Sequence, residues 1–197
     1  MERPILLSTA MVQSYQSRLK GQTRRTTALD EVNLRPGAWG APMMSLQQVG
    51  DGPWHVAATF QGKRRGAAKY GPSGRVVTVK CPYGMIGDIL WIREACAKAY
   101  FAWVYKADWE RKDVKWRPAI HCPREASRYS LEITDIRLER LNDISEEDCF
   151  AEGCPRDVDA EPRDVYRKVW EHINGPNSWV KNPWVWVVSF PTLSANE

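Results

Sequence analysis

A small α+β barrel with flanking short helices and one basic loop insertion is the fold class this sequence predicts. Three observations carry it. Short β-prone runs recur along the chain, and the last, residues 184–190, is apolar on both faces and so belongs in the middle of a sheet. Two stretches, near the start and over 163–173, place apolar residues at helical spacing. Between 28 and 75 the periodicity fades into glycine-rich chain. At 197 residues the chain can bury a full core without staples, as a single domain over 1–197 with 28–75 inserted into it.

Taken in order, residues 4–7 read as a first strand. Ser8 or Thr9 then caps a helix whose apolar stripe is Met11, Val12, Tyr15 and Leu19, and Gly21 falls where a helix C′ glycine is expected. Residues 22–27 are β-prone and strongly basic. Within 28–75 only 54–60 has strand character, and Lys63, Arg64, Arg65, Lys69 and Arg75 make the second half a basic loop. Strands are predicted again over 75–80, 89–93 and 99–105, with a turn at Cys81-Pro82-Tyr83-Gly84. Residues 127–141 alternate as one long strand, and a phase change after Ile133 predicts a bulge or bend. Ser145-Glu146-Glu147-Asp148 has the pattern of a capping box for a short helix to Glu152, stopped by Gly153. The helix over 163–173 sets Val165, Tyr166, Val169, Trp170 and Ile173 on one side.

Charge is unevenly placed. Residues 1–80 hold 12 Lys and Arg against 4 Asp and Glu, whereas 81–197 hold 16 against 20. A basic N-terminal part attracts a polyanion if its cations share a face, and otherwise serves only solubility. Ten tryptophans serve packing, base stacking or both; Trp91 and Trp103 are the stacking candidates, with core packing the plainer role. The start, Met1-Glu2-Arg3-Pro4, has no basic and apolar leader, and no run approaches a membrane span, so a cytoplasmic protein without membrane contact is expected. Five cysteines, an odd number, fit reduced thiols. Cys149 and Cys154 lack the paired knuckles of a zinc site, His55, His121 and His172 are scattered, and phosphate-cradling glycine motifs are missing; no metal and no cofactor are expected. Arg93-Glu94 reads as an internal ion pair.

Several stretches in order carry a resemblance: Lys20 with Thr23-Arg24-Arg25; Lys80-Cys81-Pro82-Tyr83-Gly84; Gly87-Asp88; Leu90-Trp91-Ile92-Arg93-Glu94; Trp116-Arg117-Pro118; Ala126-Ser127-Arg128; Asp143-Ile144-Ser145-Glu146-Glu147-Asp148; Ala151-Glu152-Gly153; and Asn182-Pro183-Trp184-Val185-Trp186-Val187-Val188. Together they resemble the ASCH family, in the version found in bacteriophage and prophage proteins. The resemblance covers both ends and the middle of the chain but not 28–75. It implies a PUA-like barrel with a cleft for RNA or nucleotides, in a bacterial, phage-encoded setting. One branch of that family hydrolyses the amide of N4-acetylcytidine with a Lys, a Thr and a Glu, which by resemblance fall on Lys20, Thr23 and Glu152. The family writes Gly-x-Lys-Thr ahead of the threonine; here the same stretch is Arg18-Leu19-Lys20-Gly21.

The chemistry sets its own demands. Thr23 offers a hydroxyl, and Lys20 can act as base only if burial, with the nearby cations Arg18, Arg24 and Arg25, drives its pKa well down against the helix C-terminus, which favours the ammonium. Glu152 would shuttle the proton or hold Lys20 and Thr23 in line. Arg24 and Arg25 suit a phosphate or an oxyanion, and Lys63, Arg64 and Arg65 a single strand. Modified nucleosides and single-stranded RNA are the partners implied. Three readings stand at this point: an amidohydrolase of N4-acylated cytidine, a base or RNA reader without chemistry, and a ribonuclease.

Overall fold

The computed structural model describes residues 1–47, 55–61, 76–109, 111–156 and 158–193, so Trp54 and the cluster Lys63, Arg64, Arg65 lie outside the described residues. In chain order the elements are β1 (Glu2–Leu6), α1 (Thr9–Gln16), β2 (Gln22–Arg25), α2 (Asp30–Asn33), β3 (Met43–Gln47), β4 (His55–Gln61), β5 (Val76–Lys80), β6 (Ile89–Arg93), β7 (Cys96–Ala99), β8 (Ala102–Tyr105), β9 (Ser130–Glu132), β10 (Asp135–Arg140), α3 (Glu146–Ala151), α4 (Pro162–Asn174) and β11 (Trp184–Ser189). The architecture is mixed α+β, mostly sheet. The described strands group as β1-β6-β9, β10-β11-β2, β3-β4-β5 and the pair β7-β8; they do not close into one ring.

β11 organises the interior. It lies between β10 and β2, antiparallel to both. Its alternate residues enter two different clusters. Trp184, Trp186 and Val188 join Ile5, Val12, Leu90 and Phe60 in the larger one. Val185 and Val187 join Leu141, Cys149, Tyr166 and Trp170 beneath α3 and α4. A strand buried on both faces has no polar side to present, which is why 184–188 reads as unbroken apolar sequence. Residues of the 28–75 stretch share the larger core: the Phe60 ring stands edge-on to Trp184 at 5.3 Å and to Trp39 at 6.3 Å.

Four local expectations need correcting. α1 ends at Gln16, not near Gly21; the residue that takes the left-handed turn is Arg18, at φ +60°. That conformation costs a non-glycine residue roughly 1–2 kcal/mol, and here it carries the chain out of the helix so that the Leu19 and Lys20 N–H groups both reach Ser14 O. Gly21 serves close approach instead: its N–H donates to Ala151 O, its carbonyl accepts from Phe190 N–H, and a Cβ would stand 3.2 Å from Phe190 O. Residues 99–105 are not one strand but the turn and second arm of the β7-β8 hairpin, bent at Tyr100-Phe101. Residues 127–141 split into β9 and β10, which belong to different sheets, so the phase change is a change of sheet. Arg93 and Glu94 do not pair, because neighbours on a strand point to opposite faces; Glu94 is held by Arg128 at 2.8 and 3.0 Å, while Arg93 donates to the Cys122 and Ile120 carbonyls.

Among the described residues no helix is long and apolar enough to cross a membrane. All five cysteines are free and buried.

Candidate functional site

Lys20 and Glu152 are brought together by backbone before side chains meet. The turn after α1 delivers Lys20 into an antiparallel bridge with Glu152, the residue that ends α3. Ser145 fixes α3 by accepting the Asp148 N–H, as the capping pattern requires. Gly153 follows at φ +101°, where an added Cβ would collide with Ser14 Oγ; that hydroxyl donates to Gly153 O and ties α1 to the end of α3. The Lys20 side chain is then 0 % exposed. Its ammonium donates to Glu152 Oε2 at 2.9 Å and to the Glu152 carbonyl at 2.9 Å. Burial pushes the Lys20 amine below its ordinary pKa, and the Glu152 carboxylate opposes that push.

The pair belongs to a larger ionic network. Arg24, on β2, donates through Nη1 to Glu152 Oε1 at 3.3 Å, and through Nη2 to Glu139 at 2.5 Å and Asp148 at 2.9 Å. Arg137 reaches both oxygens of Asp148 at 2.9 Å and Glu139 Oε2 at 3.3 Å. Arg137 also reaches Asp135 at 3.3 Å, so three cations meet four carboxylates in a partly dry place. Burial alone would raise the Asp148 carboxyl, but Arg24 and Arg137 hold it below the ordinary range; Glu152 and Glu139 likewise carry the Arg24 guanidinium up against burial. Arg24 therefore offers no free guanidinium to a phosphate: three carboxylates occupy it.

Sheet register separates Thr23 from this network. Arg24 lies opposite Val187, on the face toward α3 and α4, whereas Thr23 lies opposite Val188 and Arg25 opposite Trp186, on the face toward the larger core. Directly opposed residues in an antiparallel pair share a face. No hydrogen bond joins Thr23 to Lys20 or Glu152.

Among the described residues of β2 and β11, three buried polar atoms on the larger core's side have no hydrogen-bond partner: Thr23 Oγ1, Arg25 Nε and Trp186 Nε1; Arg3 Nε, on β1 beside the same core, is a fourth. Thr23 is 1 % exposed and Trp186 is fully buried. Arg25 is anchored at its far end, Nη2 donating to the Leu6 carbonyl at 2.7 Å, while its buried Nε–H has no partner. An unpaired buried donor or hydroxyl costs about 1–3 kcal/mol. The three lie at adjacent positions of one sheet face, two N–H donors and one hydroxyl. Gln22 Nε2 is also unpartnered, but on the Arg24 face.

Sequence reasoning missed Trp186, Glu139, Asp148 and Arg137. For Glu139 a signal existed: Arg137 and Glu139 alternate in β10 and lie opposite Val187 and Val185, the same face as Arg24. Cysteine chemistry has little to work with here, since burial pushes the Cys149 thiol up to about 12 and Cys154 to about 11. The chain matches no protein-family model, no curated protein and no solved structure.

Proposed function

We propose that this chain is an ASCH-type domain, a PUA-like barrel in which the sheets curl round the larger core, and that it holds the base of a modified nucleoside or of single-stranded RNA on the inward face of β2 and β11. The observation that carries the reading is the trio of unpartnered buried groups, Thr23 Oγ1, Arg25 Nε and Trp186 Nε1. A pyrimidine supplies what they lack. N4-acetylcytosine presents ring O2 and ring N3 as acceptors and its exocyclic N–H as a donor along one edge, suited to two N–H donors and a hydroxyl that accepts. Sites that leave polar groups unpaired when empty reject ligands that cannot fill them, which makes such a site selective.

A hydrolytic reading is favoured by one further observation, the desolvated Lys20 beside Glu152. Burial lowers the Lys20 pKa, the direction a general base requires, while the Glu152 carboxylate opposes that shift. In that reading the Thr23 hydroxyl attacks the acyl carbon, its proton passes by way of Lys20 and Glu152 to the N4 amine as the C–N bond breaks, and water then hydrolyses the acyl-threonine to acetate; sheet register sets Thr23 on the opposite face of β2 from that pair. The ribonuclease reading has no observation of its own.

The test is incubation of the protein with N4-acetylcytidine, following binding by calorimetry and release of acetate and cytidine by chromatography. Binding without turnover is the expected result for the reader, and acetate release abolished in both Lys20→Ala and Thr23→Val for the hydrolase. A protein that neither binds nor cleaves N4-acetylcytidine or N4-acetylated RNA contradicts both.

A further inference from the structure

The β7-β8 hairpin presents two aromatic rings that nothing in the fold needs. Ala99 pairs with Ala102, so the turn consists of Tyr100 and Phe101 alone. Tyr100 is 95 % exposed and Phe101 103 % exposed, so neither contributes packing. Two-residue hairpin turns with positive φ favour Gly, Asn or Asp; here Tyr100 holds φ +50°. A bulky ring is thus kept at a strained turn position and pointed at solvent, a combination that stability does not explain.

The chemistry along the hairpin is cationic. The hairpin, Cys96 to Tyr105, contains Lys98 and no acidic residue. Lys98 Nζ lies 5.8 Å from the centre of the Trp103 ring, and Arg117, bridged to Cys96 on the outer side of β7, lies 5.6 Å from the same ring. Neither cation has an ion-pair partner among the described residues. The nearby acids Asp108 and Asp113 are already engaged, by Arg128 and Arg111. Exposed rings with unpaired cations further along the same hairpin suit an unpaired polynucleotide strand: bases stack on the rings and phosphates meet the cations. Two rings and two cations fall short of the broad apolar helix face or acyl chain that anchors a protein in a lipid interface.

We propose that the Tyr100-Phe101 tip, with Lys98 and Arg117, is a stacking platform for a single-stranded nucleic acid. This surface is separate from the inward face of β2, and it extends the ligand from a single base to a strand that crosses the outside of the molecule.

The test is fluorescence anisotropy with a labelled single-stranded oligonucleotide, at two salt concentrations, with the matching duplex and anionic phosphatidylserine vesicles in parallel. The variants are Tyr100→Ala/Phe101→Ala and Lys98→Ala/Arg117→Ala; the first removes only exposed rings, and a thermal melt verifies its fold. The proposal expects single-strand binding stronger than duplex binding, weakened about tenfold or more by the aromatic double variant. It expects the charge variant to flatten the salt dependence. N4-acetylcytidine binding stays unchanged in the aromatic variant, so loss of strand binding is distinguishable from loss of the base site. Absence of single-strand binding, unchanged affinity in the aromatic variant, or preference for vesicles or duplex would overturn it.

Discussion

Replacing Glu152 with alanine is expected to destabilise the fold by about 3–5 kcal/mol, because it leaves the buried Lys20 ammonium without its carboxylate. Lys20 is 0 % exposed, and its remaining partner would be one backbone carbonyl. Arg24 would lose one of its three carboxylates as well. For a chain of this length the melting temperature should fall by roughly 10 °C. The companion double variant, Lys20→Met with Glu152→Gln, removes the buried charge along with its partner and should recover much of the loss. Denaturant melts of the native protein, Lys20→Met, Glu152→Gln and the double variant give the coupling directly. A loss below about 1 kcal/mol in Glu152→Ala would show that the ammonium escapes to solvent and that the pair is not buried as described.

Thr23→Val should act in the opposite sense on stability and be costly for binding. The hydroxyl is buried without a partner, so exchanging it for a methyl group of similar shape leaves nothing unpaired and removes a desolvation penalty. The expected result is a melting temperature equal to or above that of the native protein. If the inward face of β2 holds the base, the same change deletes one of three polar contacts and should weaken N4-acetylcytidine binding roughly ten- to a hundredfold, the equivalent of about 1–3 kcal/mol. A merely structural threonine would move the first readout and leave the second alone. The pairing of unchanged or raised stability with lost affinity is the signature of a residue kept for a ligand.

Some of this was legible in the sequence for physical reasons that are local. α3 announces itself through a serine cap, acids in the first turn and a glycine stop. α4 does so through Tyr166 and Trp170 at helical spacing, and β11 through an apolar run that only a doubly buried strand tolerates. Where tertiary structure decides, local reading fell short. The β7-β8 turn carries no Gly, Asn or Pro, so nothing marks it. The break between β9 and β10 looks like a bulge because alternation cannot say which sheet a strand joins.

The site divides the same way. Lys20 before a glycine reads as a solvated helix-end cation, and only the long-range bridge to Glu152 shows it buried. Arg24 and Arg25 look equivalent in sequence, yet strand alternation sends one into three carboxylates and leaves the other with a free Nε–H on the opposite face. Trp186 could not be singled out among ten tryptophans, since its role depends on standing directly across from Arg25.

The most direct measurement is the indole N–H resonance of Trp186 in a nitrogen-15 spectrum, assigned by its absence from Trp186→Phe and followed as N4-acetylcytidine is added. A base hydrogen-bonded on the inward face of β2 and β11 predicts a saturable downfield shift of that one resonance, with the same midpoint as the calorimetric titration and no counterpart in Thr23→Val at equal ligand. A ligand that binds while the Trp186 signal stays in place would contradict the assignment of the site.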